Sequence, residues 1–202
     1  MKYWVIAGIL FLFSQSFAGK KSIELGIGLD YTPIGLLRYD QNRNANFEIV
    51  DNTAWQGRIS YDLGNGFKSG LIFDYMAKTI HPGSSTTTDL TLWSVSLNGN
   101  YGYEITESGH TLLIAGMEFG YGQLSDKSID VTKSGGAFII AGMIGTRFLV
   151  GGKAWLDISY KLGWQQFSIA QYPSRKYRFA GSSLRASLDI PIYNFADKGV
   201  KK

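Results

Sequence analysis

Ile23-Glu24-Leu25-Gly26-Ile27-Gly28-Leu29-Asp30-Tyr31 is the stretch that decides the fold. Ile23, Leu25, Ile27, Leu29 and Tyr31 share one side, and Glu24, Gly26, Gly28 and Asp30 share the other, because successive side chains of an extended chain point to opposite faces. A helix would scatter the same residues around its axis. The period of two therefore predicts a strand with one apolar and one polar face.

The same rule returns seven times. Trp55, Gly57, Ile59, Tyr61 and Leu63 oppose Gln56, Arg58, Ser60 and Asp62. Phe67, Ser69, Leu71, Phe73, Tyr75 and Ala77 oppose Lys68, Gly70, Ile72, Asp74 and Met76. Trp93, Val95, Leu97, Gly99, Tyr101 and Tyr103 oppose Ser94, Ser96, Asn98 and Asn100. Leu113, Ala115, Met117, Phe119 and Tyr121 oppose Ile114, Gly116, Glu118 and Gly120. Residues 137–145 are apolar on both faces; the reading adopted turns Phe138, Ile140, Ile144 and Phe148 outward and Ala141, Met143, Gly145 and Arg147 inward. Ala154, Leu156, Ile158, Tyr160, Leu162 and Trp164 oppose Trp155, Asp157, Ser159, Lys161 and Gly163. Ala180, Ser182, Leu184, Ala186, Leu188 and Ile190 oppose Gly181, Ser183, Arg185, Ser187 and Asp189, and Pro191 then interrupts the ladder.

No segment has a helical period. Eight alternating strands predict an all-β chain, an eight-stranded antiparallel up-and-down barrel, because closure leaves no free sheet edge. The breaks near 64–66, 105–110 and 149–152 are short, and those near 32–53, 78–89, 122–136 and 166–177 are long and polar. Short turns on one rim and long loops on the other belong to barrels that cross a membrane.

Over residues 19–195 this pattern resembles the small eight-stranded outer-membrane barrels of the OmpA/OmpX type. The resemblance implies a monomeric transmembrane β-barrel, porin-like in its wall, with both termini on the periplasmic side. Its implied partners are outer-membrane lipid, including lipopolysaccharide, and the barrel-assembly machinery. Tyr193-Asn194-Phe195 is similar to the terminal aromatic signal that this machinery reads in the family, although here residues 196–202 follow as a short basic periplasmic tail.

The N-terminus agrees with export. Lys2 supplies a positive charge, residues 3–13 are mostly apolar, and Ser16-Phe17-Ala18 presents the small-x-small pattern of a cleavage site. Residues 1–18 are thus expected to be a cleaved signal peptide. Their apolar core is too short to span a bilayer as a helix, which takes about 20 residues. There is no cysteine, which excludes a disulfide framework, a thiolate metal site, a catalytic thiol and a lipid-anchored start. The net charge of +4 drops to +3 without Lys2, and its cations are scattered among carboxylates. That dispersal argues against a nucleic-acid partner.

Alternation alone permits two orientations. A soluble, lipocalin-like barrel would turn the apolar face inward around a ligand. Eight strands, however, enclose a space that side chains alone fill, and Leu, Ile, Phe, Trp and Tyr on nearly every strand would overfill it. The polar face is small and mixed in sign. It carries Glu24, Asp30, Asp62, Asp74, Glu118, Asp157 and Asp189 with Arg58, Lys68, Arg147, Lys161 and Arg185, a set that can pair within a lumen. Aromatics near strand ends, such as Trp55, Tyr75, Trp93 and Tyr103, suit the two bilayer interfaces. The expected orientation is apolar side outward, to lipid.

Catalytic chemistry has little to work with. His110 falls in a short turn, and His81 lies near Ser84 and Asp89 but is separated from Ser84 by Pro82 and Gly83. This spacing does not make a nucleophile–base pair, and it differs from the His-x-Ser pair of outer-membrane lipid A deacylases. Neither histidine has a second ligand at metal-site spacing. No enzyme activity, metal or cofactor is expected. The residues singled out instead are Arg175, Lys176 and Arg178, beside Tyr172 and Tyr177 in the last long loop, where guanidinium groups could bind lipopolysaccharide phosphates. The expected role is structural or interactive, through the external loops. A narrow channel or transporter of small molecules is the second reading, and the soluble carrier the third.

Overall fold

The computed structural model describes residues 21–41, 44–63, 66–80, 88–106, 108–128, 131–169 and 175–195, with side chains for 21–32, 53–63, 66–79, 88–106, 108–127, 132–163 and 182–195. The predicted leader and tail lie outside the described residues. Eight strands follow one another: β1 (Lys21–Gln41), β2 (Asn44–Asp62), β3 (Phe67–Ile80), β4 (Thr88–Glu104), β5 (Thr111–Ser128), β6 (Val131–Val150), β7 (Ala154–Ile169) and β8 (Arg175–Phe195). Each pairs antiparallel with the next, and β8 pairs with β1 to close the barrel. The expected fold class is the observed one.

Tight turns join the strands on one rim. Gly151 and Gly152 both hold positive φ, 59° and 69°. This left-handed pair matches the twist of a two-residue hairpin, which right-handed turns would splay. Gly66 and Gly109 serve the same purpose at the other two short connections, with φ of 83° and 65°.

The opposite rim corrects the expectation of long loops. The segments expected as loops at 32–53 and 122–136 are largely strand, and strand also occupies the described residues of 78–89 and 166–177: β1 pairs with β2 out to Gln41–Asn44, and β5 with β6 out to Ser128–Val131. Beyond the bilayer neither face must be apolar, so alternation disappears from the sequence while backbone pairing continues. One further cause is local. β1 carries an extra residue between Thr32 and Gly35 relative to β2, a bulge of the kind that accommodates a proline such as Pro33.

A second bulge settles where β8 ends. Ile23 pairs with Tyr193 and Glu24 with Pro191, leaving Ile192 as the extra residue. The parity reset lets Tyr193 and Phe195 stay on the outer surface, where Phe195 meets Tyr61 edge-on at 5.7 Å. β8 therefore runs through Phe195.

Inside, the narrow bore makes facing side chains converge. Inward glycines answer this crowding by lying directly opposite inward Ser or Asn: Gly28 with Ser187, Gly70 with Ser60, Gly116 with Asn100, Gly120 with Ser96 and Gly145 with Ser159. A Cβ on Gly116 would come within 2.6 Å of the Asn100 Cβ, and one on Gly70 within 2.9 Å of the Ser60 Cβ. Glycine here sets how closely the walls approach.

Candidate functional site

Orientation is settled by exposure. Leu25, Phe73 and Ile158 are 44%, 50% and 44% exposed on the outer surface, whereas Arg58, Lys68 and Arg185 are buried in the lumen. The soluble carrier with an apolar interior is excluded by this arrangement. Strand six follows the adopted reading, with Phe138, Ile140 and Ile144 exposed and Ala141, Met143 and Arg147 buried.

The lumen charges sort into two groups along the axis. Nearer the tight-turn rim, Arg58, Lys68 and Arg147 meet Glu24, Asp157 and Asp189. Arg58 Nη2 donates to Asp157 Oδ2 at 2.5 Å, and its Nε donates to Asp189 Oδ1 at 3.0 Å. Lys68 binds Asp189 too and reaches Glu24 Oε2 at 2.7 Å. Arg147 Nη2 grips both oxygens of Glu24, at 2.8 and 2.7 Å, and its Nε lies 3.2 Å from Asp157 Oδ1. Three cations thus face three carboxylates. In a dry interior an unmatched charge would be costly, and this balance offsets the desolvation of all six.

Farther out, Lys161 and Arg185 bind Asp30 and Glu118. Lys161 Nζ stands 3.0 Å from Asp30 Oδ2 and 3.5 Å from Glu118 Oε1. Arg185 donates from Nη1 to Glu118 Oε2 at 2.9 Å and from Nη2 to Asp30 Oδ2 at 3.1 Å. Asp74 stands beside this group and accepts instead from Gln56 Nε2 at 2.9 Å and Ser94 Oγ at 3.4 Å. Asp62, half-buried at the inner end of β2, pairs in register with Lys68 and Ser22. The strands thus bring ten of the twelve predicted lumen residues into two ion-pair networks, with Asp74 beside the second and Asp62 at the inner margin.

Apolar layers flank the charges, and the sequence reading missed most of them. On the outer side, Met76, Leu90, Leu92, Leu124, Ala137 and Ile139 of β3–β6 are buried in the lumen. At the inner mouth, Leu63 and Ile114 are buried, and the Trp155 ring lies under the Arg147 guanidinium at 4.6 Å. The available signal was inward parity: Leu90 and Leu92 share the face of Ser94, and Leu124 that of Gly120 and Gly122. Between the layers, Gln56 Oε1, Ser60 Oγ, Ser96 Oγ, both amide atoms of Asn98 and Ser187 Oγ make no hydrogen bond to protein.

Arg175, Lys176 and Arg178 are not in a loop. They open β8, paired with Ile169, Ser168 and Gln166 of β7, and the last two also with Asp40 and Arg38 of β1. Backbone pairing at the outer rim continued past the point where the polar sequence suggested a loop; the side chains of these three lie outside the described residues. His81 and Ser84 are outside them as well. Asp89 is exposed and accepts from Thr79 Oγ1 at 2.7 Å. His110 sits exposed at the β4–β5 turn, where its backbone oxygen accepts from Leu149 N at 2.8 Å.

Solved structures share this architecture. Neisserial surface protein A (NspA) is similar over 85% of this chain and 98% of its own, at 13% identity and a TM-score of 0.59. OprG from Pseudomonas aeruginosa is similar over 90% of this chain and 98% of its own, at 11% identity and a TM-score of 0.58. At these identities the likeness is one of fold. No curated protein sequence matches the chain. The family model described as the outer membrane protein beta-barrel domain matches residues 5–188, nearly the whole sequence, and the chain belongs to that family: it is an outer-membrane β-barrel.

Proposed function

We propose that this barrel is a sealed structural and interaction protein, anchored by its lipid face and presenting its outer strands at the cell surface. The observation that carries the reading is the layered lumen. Ion-paired tiers lie between apolar ones, so an ion travelling along the axis would have to break buried pairs whose charges lack water to replace their partners. Purified protein in planar bilayers is expected to give no unitary conductance. Steady ion-conducting steps would overturn the reading.

The second reading, a narrow channel, is favoured by the polar atoms without protein partners at Gln56, Ser60, Ser96, Asn98 and Ser187. Buried groups of this kind hold ordered water, and a continuous file of it would conduct. The same bilayer recording separates the two.

The lipid-phosphate role of Arg175, Lys176 and Arg178 belongs to this proposal. Their backbone is at the outer rim, where outer-leaflet phosphates lie, and charge-assisted hydrogen bonds would favour contact. Replacing all three with Ala is expected to reduce co-purifying lipopolysaccharide; unchanged co-purification would remove this element. Export by a cleaved leader is proposed from residues 1–18, and mass spectrometry of the membrane-extracted protein should find Gly19 as its first residue.

A further inference from the structure

The ladders around the wall differ in length. β1–β2 extends outward to Gln41–Asn44, β3–β4 to Ile80–Thr88, β4–β5 to Thr88–Ser128, β7–β8 to Ile169–Arg175 and β8–β1 to Lys176–Asp40. The β2–β3 ladder stops at Trp55–Tyr75, although β2 continues outward from Ala54 to Asn44 and β3 from Met76 to Ile80. It is the shortest seam in the wall. The next shortest, β6–β7, reaches Ile139–Gln165.

The short seam ends at a telling height. Trp55 and Tyr75 are outward, exposed aromatics, and Trp93 pairs with Tyr75 on the next strand. Amphipathic rings gathered in this way mark the outer bilayer interface. Immediately inside the wall, Met76 and Leu92 face each other in register, followed by Leu124. An opening here would join the outer leaflet to the apolar tier of the lumen.

We infer that the β2–β3 seam is the place where the wall opens sideways, and that the Gln56–Asp74 hydrogen bond is its latch. These two residues form the first inward pair below the end of the ladder. Gln56 Nε2 donates to Asp74 Oδ1 across the seam at 2.9 Å. A ladder opens from its end, since an interior pair cannot part before those outside it have done so. Opening stops at Arg58 and Lys68. Both bind Asp189 of β8, which ties β2 to β3 through the lumen. The segment free to part is therefore Trp55–Gly57 against Phe73–Tyr75. A molecule admitted there would be small and apolar, because it meets Met76, Leu92 and Leu124.

Hydrogen exchange followed by mass spectrometry on the full chain in lipid nanodiscs tests this, since local opening sets amide exchange. Amides of Trp55–Gly57 and Phe73–Tyr75 should exchange at least tenfold faster than those of Trp93–Val95 and Tyr121–Gln123, which stand level with them in the β4–β5 seam. Gln56→Ala should raise the β2–β3 rates about tenfold further and leave the β4–β5 rates unchanged. The oxidised double variant Trp55→Cys with Tyr75→Cys should bring the β2–β3 rates down to those of β4–β5. Equal exchange at the two seams in the unaltered protein would overturn the inference, as would a cross-link that leaves the β2–β3 rates where they were. A Gln56→Ala variant that exchanges like the parent would remove the latch. These readouts do not depend on conductance, so the sealed axis and the lateral seam can fail separately.

Discussion

Arg58 on β2 and Asp189 on β8 hold each other across the lumen through two nitrogens and two oxygens, with both side chains almost wholly buried. A guanidinium matched to a carboxylate in this way fixes distance and angle together. The pair therefore braces the barrel between strands that are not neighbours in the wall.

Removing one member strands the other. Asp189→Ala leaves Arg58 and Lys68 without their shared carboxylate, and a broken buried pair costs about 3–5 kcal/mol. Urea unfolding in detergent should show that loss. The double change Arg58→Met with Asp189→Leu should cost less than Asp189→Ala alone, because no charge is left unmatched. Equal or larger loss in the double variant would mean that the pair contributes net stability beyond its own desolvation.

Glycine position separates wall contact from open surface. Gly116→Ala puts a methyl against Asn100 on the neighbouring strand, and overpacking of this kind costs about 1–3 kcal/mol. Gly142→Ala faces outward with nothing within 4 Å, so its midpoint should shift by less than about 0.5 kcal/mol, as surface substitutions do. Equal shifts in the two variants would refute the account of the inward glycines.

The lipid face should respond to charge by depth. Leu97 lies midway along β4, between the exposed aromatics Trp93 and Tyr101. Leu97→Arg should cost about 2–4 kcal/mol, whereas Tyr103→Arg, at the inner rim, should cost about 0–1 kcal/mol. Refolding titrations into lipid vesicles would measure both. Indifference to the arginine at Leu97 would place this surface outside the bilayer core.

How far the sequence could be read depended on where lipid acts. Where the strands cross the bilayer, lipid demands an apolar outer face, so parity alone places inward charges such as Glu118 and Lys161. Their partners could not. Arg58 and Asp157 are 99 positions apart, and which strands confront each other across the lumen depends on tilt and stagger that a single strand does not encode. At the outer rim the lipid constraint ends and a bulge at Pro33 breaks the β1–β2 register, so the sequence there, including Arg175, Lys176 and Arg178, carries the polarity of a loop while its backbone pairs as strand. Leu90 and Leu124 escaped notice because they lie in or beside those segments, where no outward alternation frames them.

The Ile192 bulge offers a test of register itself. A strand displaced by one residue turns each following side chain to the opposite face. Deleting Ile192 removes only the unpaired residue and keeps Tyr193 opposite Ile23 and Phe195 opposite Lys21, on the outer face where Phe195 meets Tyr61 edge-on at 5.7 Å. Deleting Asn194 instead, with the bulge kept, would set Phe195 opposite Ser22 and aim it at an inner mouth already occupied by Trp155 and Leu63. The Ile192 deletion should therefore keep the compact, heat-modifiable band of a folded barrel on gels, and the Asn194 deletion should lose it. A folded band from the Asn194 deletion would show that the C-terminal aromatics do not need the outer face.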